Sequence, residues 1–256
     1  ALQYGGIGVG ATGGEVAPAD RLAIRIGGLA LPNPVICGSS EAVATAAGIR
    51  AALGTGVAGV IAKSVNEQPA AAAQLDRADY VKLDAQGRPV AWDAAGVSLF
   101  NRSGLGQHQP AAWFAEIARL DRQAAASGQF VAASIVLGGH QAAVGLAALA
   151  RDAGVRVFEL NVGAPHASEA RPGTIMNESE PAALGALVAA VRAATSGMQL
   201  WVKLTGLSAN LPALSLAATN TGADAVVMMG RFMGLVPDID SFAPVLGTSA
   251  AYGGPW

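Results

Sequence analysis

Short runs of β-branched and other apolar residues alternate along the chain with longer, alanine-rich stretches of helical periodicity. That alternation predicts βα units built on a parallel sheet. Residues 22–26 and 29–31, joined by Gly27-Gly28, read as a small hairpin ahead of the units. A first strand is predicted over 34–38 with a helix over 41–53, and a second strand over 58–64. A long excursion follows from 65 to 109, with a second hairpin (80–83 and 89–92) turned at Gln86-Gly87. Helix 111–126, strand 130–137, helix 142–153, strand 155–162, helix 181–194, strand 200–205, helix 211–221 and strand 225–229 complete six units. Ser179 is the expected N-cap of the fourth helix, with Pro181 in its first turn. Beyond residue 229 the chain reads as irregular.

Two architectures accept such units, an open doubly wound sheet and a closed barrel. A dinucleotide-binding doubly wound sheet needs G-x-G-x-x-G between its first strand and helix. Here that turn reads Cys37-Gly38-Ser39-Ser40-Glu41. The glycines at 5, 6, 8 and 10 precede any strand, and residues 1–20 read as a flexible arm. They lack the basic start and apolar block of a signal peptide. Polar residues recur at strand carboxyl ends, at Ser39, Lys63, Asn161 and Lys203, where the βα loops of a barrel enzyme converge. The expected fold is therefore an incomplete α/β chain of the (β/α)8 TIM-barrel type, with about six of the eight units present. It forms one domain over 21–256 that lacks the last two units. Six open strands would expose two long apolar edges, which folded proteins avoid. A continuation of the chain, a complementing chain or a homo-oligomer is expected to cover them.

Composition narrows the class. Hydrophobic residues make up 52% and charged residues 13%, with alanine carrying much of the apolar share. No run of eighteen apolar residues occurs, so no membrane span is predicted and a cytoplasmic protein is expected. A net charge of −2 gives no electrostatic case for nucleic acid or anionic membrane. The single cysteine, Cys37, excludes an internal disulfide and an iron–sulfur cluster held by this chain alone.

Lys63 ends an apolar run, Val60-Ile61-Ala62-Lys63-Ser64. Such a lysine meets an anion or an electron-rich ring, or snorkels past the strand end to water. Lys203, in Trp201-Val202-Lys203-Leu204, poses the same choice, and two such lysines point toward an anionic ligand. Either amine is also a candidate for a Schiff base. In the fourth strand, alternation turns Phe158 and Leu160 to the helices and Glu159 and Asn161 to the interior. Glu159 then needs a partner, and Lys203 on the next strand fits as a structural ion pair. The three histidines, His108, His140 and His166, all fall in predicted βα loops, where polar residues also collect for no special reason. No H-x-H or H-E-x-x-H spacing joins them, so no metal is expected. His166 is the best placed for acid–base work.

Taken in order, several segments resemble motifs of the dihydroorotate dehydrogenase family, which includes the related domain of dihydropyrimidine dehydrogenase. Asn33-Pro34-Val35-Ile36-Cys37-Gly38-Ser39-Ser40 is similar to its first-strand motif, and Ala62-Lys63-Ser64 to its T-K-S motif. Phe100-Asn101-Arg102-Ser103-Gly104-Leu105 resembles its N-x-x-G-L loop. Glu159-Leu160-Asn161-Val162-Gly163-Ala164-Pro165-His166 resembles E-L-N-x-S-C-P-N/H, and Val202-Lys203-Leu204 and Gly222-Ala223-Asp224-Ala225 match its fifth and sixth strands. The resemblance implies an FMN-dependent oxidoreductase barrel acting on a CH–CH or C=N group, with hydride transfer at flavin N5. It places Gly38 and Ser39 against the isoalloxazine ring, with Lys63 and Asn161 nearby. It puts Lys203 at the N1/O2 edge, where a cation favours the reduced ring. Asn101 would line the substrate side. It also implies that the flavin phosphate is held after strands seven and eight, outside this sequence.

Two departures stand against dihydroorotate as the substrate. Ala164 occupies the position of the family's Cys or Ser base, leaving His166 as the acid–base candidate. Gly230-Arg231 replaces the substrate-binding Asn–Thr pair after strand six. Arg231 is either a carboxylate or phosphate ligand or an exposed loop arginine. Two other readings stay open: a Schiff-base barrel lyase or aldolase without flavin, and a catalytically degenerate flavin-binding scaffold.

Overall fold

The computed structural model describes residues 22–66, 78–94, 98–102, 104–136, 138–163, 180–204, 206, 208–228, 233–247 and 251–255. The chain opens on the expected hairpin, β1 (Ile24–Ile26) and β2 (Leu29–Leu31), with Gly27 taking the positive φ of the turn. The alternating units follow: β3 (Ile36–Cys37), α1 (Ala46–Gly54), β4 (Gly59–Ile61), α2 (Pro110–Ala125), β8 (Phe130–Val136) and α3 (His140–Asp152). Then come β9 (Val157–Asn161), α4 (Pro181–Ala194), β10 (Gln199–Lys203), α5 (Leu211–Asn220) and β11 (Ala225–Val227). The excursion holds β5 (Asp79–Leu83), β6 (Pro89–Val90) and β7 (Ser98–Arg102), and β12 (Met233–Gly234) and β13 (Ala251–Pro255) follow β11.

Six strands form a curled parallel half-barrel in the order β11-β10-β9-β8-β4-β3, with the five α-helices of the described residues accompanying it. Crossover helices cover the outer face. Phe158 and Leu160 of β9 and Val202 of β10 pack there with Phe114, Leu146 and Leu187 of the helices. The inner face is filled at the amino-terminal end of the strands. There Phe130 and Trp201 meet edge to face at 5.3 Å, packed with Val157 and with Leu31 of the hairpin. The hairpin therefore plugs that end, and the backbone N–H of Gly28 donates to Gln199 Oε1 at 2.9 Å. Gly59 leaves room for the Phe130 ring, which a Cβ would strike. With both faces covered, every residue of β8 and β9 is buried, as expected of a parallel sheet.

A charged group is buried under the outer layer. Asp121 of α2 accepts hydrogen bonds from the Val131 N–H at 2.9 Å and from Arg156 Nη2 at 2.7 Å. The hydrogen bond to Asp121 raises the Arg156 guanidinium above its ordinary value. Among the described residues no helix is long and apolar enough to cross a membrane.

Several expectations need correction. The first helix is interrupted: residues Glu41–Val43 form a 3-10 turn, and α1 starts only after Thr45, whose side chain accepts from the Gly48 N–H. Glu180, not Ser179, stands at the N-cap of α4, without a side-chain cap hydrogen bond, and Pro181 opens the helix. The tail is not irregular. Strands β12 and β13 join β7, β5 and β6 in a second, antiparallel sheet of five strands, with Tyr252 opposite Asn101. The two edge strands of the half-barrel are short, at two residues in β3 and three in β11, so the exposed ladder is smaller than six full strands imply. The arm at 1–20 lies outside the described residues.

Candidate active site at the strand ends

The carboxyl ends of the strands carry a continuous line of polar side chains. Lys203 Nζ donates to Glu159 Oε1 at 2.9 Å. Ser134 Oγ donates to the same oxygen at 2.7 Å. Ser64 Oγ lies 2.8 Å from Ser134 Oγ, and Ser39 Oγ lies 3.2 Å from Ser64 Oγ. The Ser64 N–H also donates to Ser39 Oγ at 3.1 Å. Five neighbouring strands thus each contribute one residue: Glu159 and Ser134 from within β9 and β8, Lys203 from the end of β10, and Ser64 and Ser39 from just past β4 and β3. Glu159 and Ser134 are fully buried. Glu159 Oε2 is buried with no hydrogen-bond partner among the described residues, as is Nε1 of Trp201, which pairs with Glu159 in the register.

Strand alternation sets this line. The register aligns Ser134 and Trp201 with Glu159, and Val136 and Lys203 with Asn161 one layer above. Lys203 therefore reaches back one layer to its carboxylate. Asn161 Oδ1 accepts from the Gly163 N–H at 3.0 Å and caps the turn that leaves β9. The space over Gly38 is open: no described atom lies within 4 Å of where a Cβ would stand.

Lys63 and Lys203 look equivalent in sequence, but the fold separates them. Strand β4 ends at Ile61, and the Lys63 N–H donates to Val43 O. Ser64 then takes the place in the polar line. Lys63 Nζ bonds Glu41 Oε1 at 2.8 Å, and that oxygen also accepts from the Gly104 N–H at 3.3 Å. Glu41 thereby ties the first βα loop to the segment that follows Asn101. Trp113 Nε1 donates to Lys63 O, and His108 stacks on Trp113 at 4.0 Å while its Nε2 lies 2.8 Å from Ala44 O. His108 thus braces a loop, and His140 begins α3.

Of the residues singled out in sequence, Gly38, Ser39, Asn161 and Lys203 come together around the strand ends, with Lys63 beside them. Asn101 is buried on β7. Ala164, His166 and Arg231 lie outside the described residues. Three residues of the site were not anticipated: Ser64, Ser134 and Glu41. Ser134 carried a signal, because it is the one polar residue in the otherwise apolar run Phe130–Val136. Among the described residues no group of three or more His, Cys, Asp or Glu side chains is arranged for a metal.

The donor set suits the ring end of a flavin. It offers an open backbone at Gly38, a hydroxyl at Ser39, an amide at Asn161 and cations at both sides. Glu159 Oε2, buried behind Lys203 with no partner among the described residues, is a spare acceptor rather than a donor.

No family model matches the chain. The catalytic subunit of dihydroorotate dehydrogenase B (NAD(+)) from Methanocella arvoryzae is 28% identical over 236 residues, which are 92% of this chain and 70% of that relative. The same subunit from Methanosarcina mazei is 42% identical over 90 residues, 35% of this chain and 27% of the relative. Dihydroorotate dehydrogenase A (fumarate) from Limosilactobacillus reuteri is 34% identical over 97 residues, 38% of this chain and 30% of the relative. The chain therefore spans 27% of the Methanosarcina relative's length and 70% of the Methanocella one's. Among solved structures, the carboxyl transferase domain of Rhizobium etli pyruvate carboxylase superposes on 42% of this chain and 18% of that one. Its TM-score of 0.31 and identity of 23% bear on neither fold nor function.

Proposed function

We propose, from the resemblance of this chain to the dihydroorotate dehydrogenase family over 92% of its length, that it is an FMN-dependent oxidoreductase of that kind. Its six parallel strands then belong to an eight-unit barrel. The remaining units come from a continuation of the chain, a complementing chain or a homo-oligomer. The observation that carries the reading is the polar line across five neighbouring strands, closed by the ion pair of the buried Glu159 carboxylate with Lys203.

When bound, FMN would supply hydride transfer at N5. The residues of this chain would do the rest. Gly38 would let the ring approach the backbone, while Ser39 and Asn161 offer hydrogen bonds to its polar edge. Lys203 would place a fixed positive charge at that edge, and Lys63 a second, tethered by Glu41. Asn101 would bind the substrate, and Arg231 would hold an anionic group on it. His166 would give or take the proton, since Ala164 cannot. Ala164 and Arg231 make a substrate other than dihydroorotate the better fit.

The test is direct. The purified chain, or the chain with its complementing units, should bind FMN with flavin absorption and fluorescence quenching. Photoreduction followed by reoxidation with unsaturated C=C and C=N compounds should identify the acceptor. A colourless protein that refuses reconstitution would overturn the reading. Flavin that reduces but transfers to no acceptor would mark a binding scaffold. The Schiff-base reading draws no support from the geometry, because both candidate amines are tied to carboxylates.

A further inference from the structure

The direction of the hydroxyl line follows from donor and acceptor chemistry. An ionised Glu159 carboxylate only accepts, so Ser134 must donate to it. Ser134 has then used its proton, and the contact with Ser64 requires Ser64 to donate. Ser64 in turn can only accept from Ser39. All three hydroxyl protons therefore point one way, from the first strand toward Glu159. Hydrogen bonds in such a chain polarise one another in a low-dielectric interior. The critical atom is Glu159 Oε1, because Ser134 and Lys203 both donate to it at 2.7 and 2.9 Å.

We propose that Ser134 is a positioning residue that shares Glu159 Oε1 with Lys203 and so sets how much positive charge Lys203 presents to a ligand at the strand ends. Ser64, one link further, tunes the same balance more weakly. The proposal takes the flavin site as its setting, but its core concerns the charge on Lys203 alone. With the hydroxyl present, the carboxylate's negative charge is divided between two donors. Without it, the whole charge falls on the ammonium group. Lys203 is then neutralised more completely and drawn back toward Glu159.

Two variants predict opposite signs. Ser134→Ala should reduce the field of Lys203, and Glu159→Gln should release it. In the FMN-loaded protein, Ser134→Ala should lower the midpoint potential of the flavin and Glu159→Gln should raise it. In the same protein without flavin, acylation of Lys203 by acetic anhydride at neutral pH, followed by mass spectrometry, reads the amine directly. Ser134→Ala should slow that acylation several-fold, because the amine is held more closely against Glu159. Glu159→Gln should speed it several-fold. If Ser134 only packs, its loss loosens the site and speeds acylation too, in the same direction as Glu159→Gln. Shifts of the same sign, or none, overturn the proposal. Should Ser134→Ala fail to fold, Ser64→Ala must slow acylation by a smaller factor, and an unchanged rate overturns it. A chain that takes up no FMN defeats the proposed function and leaves the acylation series to judge Ser134. Potentials that move together would defeat the role of Ser134 and leave the flavoprotein standing.

Discussion

Every residue of β8 and β9 is buried, whereas in the antiparallel sheet only Leu83, Phe100 and Asn101 are, among the described side chains. The first sheet lies between a layer of helices and a plugged interior. Among the described residues, the second folds over a core of Leu83 and Phe100, with Val81, Val236 and Leu246 against it. Stability and precise positioning therefore reside together in the parallel sheet. The parallel strands can hold Glu159 and Lys203 in fixed relation because they have nowhere to move. The antiparallel sheet carries Asn101 on a much thinner support. Loops and satellite sheets at the mouth of a rigid scaffold are where binding surfaces commonly vary.

The contrast can be broken by matched substitutions. Phe158→Ala, between β9 and α2, should cost about 3–5 kcal/mol in urea unfolding, because Phe114 and its neighbours cannot close the cavity. Phe100→Ala should cost only about 1–2 kcal/mol, since its small cluster can collapse. Equal losses would show that the second sheet is as firmly held as the first. Asp121→Ala should come next, at about 2–3 kcal/mol, by leaving the Val131 N–H without its acceptor inside the scaffold. A loss within the scatter of surface substitutions would mean that the outer layer tolerates an unmet donor. Gly59→Ala should cost about 1–3 kcal/mol by driving a methyl into the Phe130 ring. Phe130→Leu in the same chain should return part of it, and strict additivity of the two would contradict the contact.

The smallest effect belongs to the antiparallel sheet. The backbone N–H of Arg88 and its side chain, with the N–H of Gln86, hold the Asp84 carboxyl below its ordinary value. A depressed carboxyl contributes order above its unfolded pKa and loses it as pH falls through the folded one. The turn between β5 and β6 should therefore loosen on the acid side while β8 to β10 remain unchanged. Amide shifts of Gln86 and Arg88 that stay flat through the carboxylate range would contradict this.

The same contrast explains what was legible in sequence. The parallel units are written in local runs: each strand is an apolar block followed by a helix of matching period. Strands β8, β9 and β10 and their helices accordingly fall within two residues of expectation. Alternation puts Glu159 and Lys203 on one face of adjacent strands, and the register, which sets Lys203 opposite Asn161, leaves the lysine to reach back one layer to the carboxylate. The second sheet is not local. Strand β7 finds one partner in β5 and the other in β13, and nothing within Ser98–Arg102 announces either. The site was hidden at Ser64 for a related reason. Alternation along Val60–Ser64 puts Lys63, not Ser64, on the inner face, and the turn of the Lys63 backbone toward Val43 reverses that. Glu41 was obscured because its helix was expected to be continuous, whereas the 3-10 turn directs its carboxylate to Lys63 and Gly104.

The pairing of Asn101 with Tyr252 also orders events in time. Each parallel strand can dock on the one beside it soon after both leave the ribosome, at small loop-closure cost. The antiparallel sheet instead waits for a segment from the far side of the sequence, and such distant contacts form late. During synthesis the half-barrel can assemble while β7 still lacks its outer neighbour, so Asn101 reaches its final setting only after the parallel strands have paired.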